Sequence, residues 1–237
     1  MEVKVTGIMD SEVSNEKFSK SSGFSALVKT KHQTILFNTG KDAEAFATNI
    51  SLLEPNLKKL DFLFISHDHP EHTGALEYVL EHYIIGHVVI PNLQDKTLYK
   101  RTKKLGHTPM EIREATTLDY EIHSTGGIGK EVTEQSLIIS TTKGLVIITG
   151  CSYYGLEQLV RGIEKKFKYE IHMIIGGFTL YNSYERMTQE NFNLLKEKHP
   201  NLLLAPSNCT ERYVRETLEK KLAEKFLDFK TGIIVEV

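Results

Sequence analysis

Short apolar runs recur along the chain, at Gly23 to Val28, Thr34 to Phe37, Phe62 to Ile65, Val88 to Ile90, Leu137 to Ile139, Leu145 to Ile148, Met173 to Ile175, Leu202 to Leu204 and Ile233 to Val235. Each has the length of one β-strand and is rich in residues that favour strands. Between several of them the apolar period lengthens to that of a helix, most clearly at Leu156, Leu159, Val160, Ile163 and Phe167, and again at Val214, Leu218 and Leu222. The helices do not alternate strictly with the strands, because strands crowd together from Gly106 to Gly150. That pattern argues against a purely doubly wound sheet and predicts an α/β chain of two mixed sheets packed face to face, with helices outside. No internal repeat, low-complexity tract or Pro/Gly/Ser linker interrupts it, so a single domain over residues 1–237 is expected.

Composition changes this picture little. A chain of 237 residues can bury a core without staples. Lys plus Arg number 29 against 31 for Asp plus Glu, which leaves no net field to gather nucleic acid or an anionic membrane. The basic stretch Lys96 to Lys104 is the one candidate nucleic-acid patch, and its ordinary reading is a solvated loop or helix face. The opening MEVKVTGIMD lacks the apolar core of a signal peptide, and no window reaches the roughly 18 apolar residues of a membrane span. A cytoplasmic protein with no membrane partner is expected. Cys151 and Cys209 alone make no disulfide framework and suit a reducing compartment.

The chemistry is concentrated in one place. Leu60 to Ser66 reads as a buried strand, and His67-Asp-His-Pro-Glu-His72 follows it directly. Thr73 then opens a helical segment with Leu76, Val79 and Leu80 on one face. Three imidazoles and two carboxylates thus occupy a strand-to-helix loop, at the strand end where open α/β sheets bind ligands. Imidazole nitrogen and carboxylate oxygen suit zinc, iron or manganese, and Pro70 limits the loop's conformations. His67, His69, Glu71 and His72 are the candidate metal ligands, and Asp68 is the candidate catalytic residue, placed to orient or deprotonate water.

His67-x-His69-x-Glu71-His72 resembles the His-x-His-x-Asp-His signature of the metallo-β-lactamase superfamily. The segments Leu36 to Gly40, Ser66 to Leu76, Glu134 to Leu137, Thr149 to Ser152, Gly176 to Phe178 and Cys209-Thr210 are similar to the branch of dihydropterin-6-methyl-aminobenzene ribofuranoside phosphate synthase-like proteins. The resemblance implies an αββα sandwich and two metal ions. It also marks departures. Tyr153 and Thr179 stand where the family has histidine ligands, Asn208 where a histidine precedes Cys-Thr, Asn38 where an aspartate is usual, and Glu71 replaces aspartate. Carried over, it leaves His67 and His69 for one ion and Glu71 and His72 for the other, each set short of a ligand.

One ion, zinc first and iron or manganese next, is therefore expected at the loop, with an empty site as the alternative. Cys151, Tyr153, Thr179 and Asn208 are candidate donors or pocket residues, and Tyr154 and Tyr181 candidate aromatic walls. A bound ion would supply hydroxide for attack on a small ester or a phosphorylated or pterin-like substrate. The alternative is a catalytically impaired ligand-binding or regulatory relative.

Overall fold

The computed structural model describes residues 2–129, 131–179, 193, 195 and 197–237. Seven strands form the first sheet: β1 (Lys4–Met9), β2 (Ser25–Lys29), β3 (Thr34–Phe37), β4 (Lys59–Phe64), β5 (Ile84–Pro91), β6 (Met110–Ile112) and the last strand, β13 (Ile234–Glu236), in the order β13-β1-β2-β3-β4-β5-β6. The second sheet runs β12-β11-β10-β9-β8-β7, built from β7 (Glu114–Asp119), β8 (Ile122–Gly126), β9 (Leu137–Thr141), β10 (Gly144–Thr149), β11 (Ile171–Gly176) and β12 (Leu203–Pro206). Both are mixed. β3, β4, β5 and β6 pair in parallel, as do β10, β11 and β12, while the remaining pairs are antiparallel.

The apolar runs lack polar alternation because both faces of their strands are covered. Ile35 and Phe37 of β3 and Phe62 and Phe64 of β4 point between the sheets, against Leu137, Ile139, Val146 and Ile148. Leu36 and Leu63, one residue out of step, point the other way into a layer made with Phe46, Ile50, Leu76, Val79 and Leu98. Those last residues belong to helices α1 (Ala43–Leu53), α3 (Leu76–His82) and α4 (Thr97–Lys104). Ile138, Leu145 and Ile147 likewise face α5 (Leu156–Glu164) and α6 (Arg212–Leu222). The result is the expected four-layer αββα sandwich.

Two features went beyond the expected elements, and a third decided between the two readings of the basic stretch. β1 comes from the N-terminal stretch read above only for the lack of a leader, and it pairs with both β2 and β13. Helix α1 begins at Asp42, whose carboxylate caps Ala45 N. The basic stretch forms α4, and its Arg101 is committed to Glu77 at 2.9 and 3.0 Å rather than free for a polyanion. Among the described residues no helix is long and apolar enough to cross a membrane.

Candidate functional site

β4 ends at Phe64, and the chain turns through Ser66 and His67 into a four-residue helix, α2 (Pro70–Thr73), with Pro70 in its first turn. Proline suits that position because its missing N–H would be unpaired there in any case. The turn folds the histidines back on one another. His67 and His72 are buried with ring centroids 4.3 Å apart, and His69 lies 4.7 Å from His67. Burial holds both buried rings neutral. It pushes the His72 pKa down to about 3, with His69 contributing, and that of His67 well below its usual value, with His72 and His69 contributing.

Three other loops close on this turn, and each holds a non-glycine residue in the left-handed region: Asn38 after β3 (φ 53°), Ser152 after β10 (φ 53°) and Cys209 after β12 (φ 75°). Such conformations persist where surrounding contacts over-determine them. Here the contacts are explicit. Glu134, buried just before β9, accepts from the backbone N of Cys151 (2.7 Å), Ser152 (3.2 Å) and Tyr153 (3.1 Å), and from Thr149 Oγ1 (3.2 Å). Asp10, buried after β1, accepts from Ser207 Oγ and Asn208 N, both at 2.6 Å, and from Arg215 at 3.1 Å. Glu134 opens a segment that resembles the family, but neither acid was given a role from the sequence, since nothing local shows that a carboxylate organises a distant loop. Gly150 is required where the loop after β10 passes the histidine turn, because a Cβ there would lie 2.4 Å from Ser66 Oγ and 3.0 Å from the His67 ring.

The expected ligands separate into two groups. His67, His72 and Cys151 offer ligand atoms within 4.8 Å of one another, a possible metal-binding group among the described residues. Cys151 thus reaches the site, although it is also buried and bonded to Cys209 across a Cα–Cα distance of 5.5 Å, a pairing that the two-cysteine count did not suggest. Glu71 lies elsewhere, half-exposed and facing Lys41 at 3.7 Å. Asp68 is half-buried, with Arg101 3.5 Å away and Thr73 Oγ1 at 3.4 Å, and burial raises its pKa against the pull of Arg101.

The positions that depart from the family pattern also have protein partners. Tyr153 sets its hydroxyl 3.0 Å from His69 Nδ1. Thr179 is half-buried and its N–H donates to the Cys151 carbonyl at 2.8 Å. The Asn208 side-chain oxygen, in the orientation that satisfies both ends of the amide, accepts from Gly23 N (3.2 Å) and Cys209 N (3.1 Å). Asn38 Nδ2 lies 2.8 Å from His72 Nδ1. Tyr154 donates to the Val132 carbonyl at 2.9 Å and Tyr181 lies outside the described residues.

These contacts bear on whether a metal ion fits. His67 Nε2 favours one, as a buried nitrogen without a hydrogen-bond partner. Glu71, His72 and Cys151 do not, since Glu71 pairs with Lys41 away from the rings, His72 engages Asn38 and sulfur through its two nitrogens and Cys151 is bonded to Cys209, whereas His69 meets Tyr153 through Nδ1 and keeps Nε2. Two complete three-ligand sets cannot be drawn from these residues as they stand, and the donors present do not fit the two-ion centre. In front of His67, Asp68 and His69 opens a cleft of about 700 Å³, walled by Asn92, Arg113, Gly127, Gly129 and Glu131.

Comparison with known proteins agrees with the fold at every level. The family model of the metallo-β-lactamase superfamily matches residues 20–205. The chain is 25% identical to 7,8-dihydropterin-6-methyl-4-(β-D-ribofuranosyl)-aminobenzene-5'-phosphate synthase of Methanocaldococcus jannaschii, over 94% of this chain and 92% of that one. Among solved structures it is similar to the metal-dependent hydrolase Tm1679 of the β-lactamase superfamily, with 24% identity, a TM-score of 0.79 and 99% of each chain covered. It is also similar to a diphosphatase from the PhnP family, with 14% identity, a TM-score of 0.65 and 100% and 98% of the chains covered. A match that takes in the histidine turn and strands of both sheets makes this chain a member of the metallo-β-lactamase superfamily.

Proposed function

We propose that this chain binds a small molecule in the cleft before His67 and His69 and does not carry out the family's two-ion hydrolysis. The observation that carries this reading is the engagement of two of the loop's donors by protein: Asn38 and sulfur on His72, and Lys41 on Glu71. A carboxylate ion-paired at the surface must lose that partner before binding an ion, and an imidazole whose two nitrogens both meet protein groups must give one of them up, which weakens the site.

The cleft's charges narrow the ligand class. Asp68 has Arg101 beside it, which leaves Asp95 and Glu131 against the single cation Arg113 among the described lining residues. Without metal ions such a wall repels phosphate and favours a neutral heterocycle that donates N–H groups to carboxylates. Of the ligand classes expected above, the pterin-like one suits this lining and the phosphorylated one does not. Calorimetric titration with a dihydropterin and with ribose 5-phosphate tests the choice. Binding of the first and not the second, with no ester or phosphoester turnover in added zinc, is the expected outcome. Zinc-dependent turnover would overturn it.

A single-ion hydrolase is the second reading, favoured by the unpartnered His67 Nε2 within the group formed with His72 and Cys151. It requires Cys151 freed from Cys209, so metal analysis of protein kept under a thiol reductant separates the two. Near-stoichiometric metal would support the hydrolase.

A further inference from the structure

We infer that Asn38 fixes the proton of His72 on Nε2, which closes this histidine to a cation and makes it a hydrogen-bond donor to the Cys151 sulfur. The inference deepens the proposed function by naming the residue responsible for the loss of one ligand.

The Asn38 side-chain amide has one permitted orientation. Asn38 is fully buried after β3, and its Oδ1 accepts from the backbone N–H of Ser66 at 2.8 Å. A backbone N–H can only donate, so the atom opposite it must be oxygen. The Nδ2 group is then the one that faces His72 Nδ1 at 2.8 Å and Ser66 Oγ at 3.0 Å. Exchanging the two ends would set N–H against N–H at Ser66. Since an amide nitrogen has no acceptor, His72 Nδ1 must offer its lone pair, and the proton of the neutral ring resides on Nε2. That nitrogen points at sulfur, 3.2 Å from Cys151 Sγ and 3.8 Å from Cys209 Sγ.

A metal-binding histidine has the opposite polarity. It presents the lone pair of one nitrogen to the ion and donates the N–H of the other to a carboxylate, a carbonyl or water. For His72 Nε2 to bind a cation, the proton would have to move to Nδ1 and meet the Asn38 N–H group. The same polarity answers a second possibility. Asn38, His72 and Cys151 occur in the order of an orienting group, a base and a nucleophile, yet an Nε2 that already holds its proton cannot take one from a thiol. Asn38 therefore acts as a positioning residue through His72.

Long-range proton–nitrogen correlation spectra of the wild-type protein, with the histidines nitrogen-labelled, test this directly. The expected pattern for His72 is a protonated Nε2 and an unprotonated Nδ1. A protonated Nδ1 would overturn the inference. The second measurement is zinc affinity under a thiol reductant. Asn38→Asp offers an acceptor to Nδ1 and should tighten zinc binding by about 10- to 100-fold. That gain should disappear in the double variant Asn38→Asp, His72→Ala. Unchanged affinity in Asn38→Asp that is folded by circular dichroism would also overturn it, and if that variant does not fold, the wild-type spectrum decides alone. Stoichiometric metal in wild type together with the expected spectrum would refute the proposed function and leave the role of Asn38 standing.

Discussion

The histidine turn and the three loops that face it have diverged in different ways. His67, His69 and His72 keep the residue types and spacing of the family's metal-binding signature, and their rings converge within 4.3 and 4.7 Å of a common neighbour. Across from them, Asn38, Tyr153 and Asn208 have hydrogen-bonding groups where the family pattern has acids or imidazoles, and these groups engage the turn or its neighbours instead. A local motif fixes where rings sit. The atoms opposite fix which nitrogen has the proton and which lone pair is free.

Changes on the facing side should therefore have the larger effects on stability. Glu134→Ala removes the acceptor of three backbone N–H groups in the second loop. Each buried donor left unsatisfied costs about 1–3 kcal/mol, so a loss of about 3 kcal/mol or more is expected in urea unfolding. A loss below about 1 kcal/mol would mean that the loop holds without it.

Acid should act on the turn itself. His72 has a folded-state pKa of about 3 against 6.5 for the free side chain, so the unfolded chain binds the extra proton between those values. Stability is then greatest above pH 6.5 and falls as pH drops toward 3, by about 1.4 kcal/mol per pH unit for this group. His67 acts in the same direction. Unfolding measured across that window should show the slope, and His72→Gln should reduce it.

Smaller effects should sharpen the contrast at its exposed margin. Tyr153→Phe deletes the contact to His69 Nδ1 and should cost about 1 kcal/mol, while leaving the fold intact by circular dichroism. Glu71→Gln breaks only a half-exposed pair with Lys41 and should cost about 0.5 kcal/mol or less, with no loss of metal content. A marked loss of metal in Glu71→Gln would restore that carboxylate as a ligand.

The layers of the fold were legible because a strand covered on both faces leaves an unbroken apolar run, as in Phe62 to Ile65 and Leu145 to Ile148. The strand β1 was less so, since Val3 and Val5 are separated by Lys4 and owe their burial to β2 and β13 at distant positions in the chain. The location of the site was legible too, from three histidines directly after a strand. Its chemistry was not. Whether Glu71 turns inward depends on Lys41, whether His72 has a free lone pair depends on Asn38, and whether Cys151 is a thiol depends on Cys209. Glu134, in a segment marked only by family resemblance, and Asp10, unmarked, organise the facing loops from distant positions in the sequence.

Crystals soaked in zinc under a thiol reductant, with data collected at the zinc absorption edge, test the central claim most directly. With His72 held by Asn38 and Glu71 by Lys41, the anomalous map should show no pair of peaks beside His67, His69 and His72. Two strong peaks there, with Glu71 turned away from Lys41 to reach one of them, would contradict it.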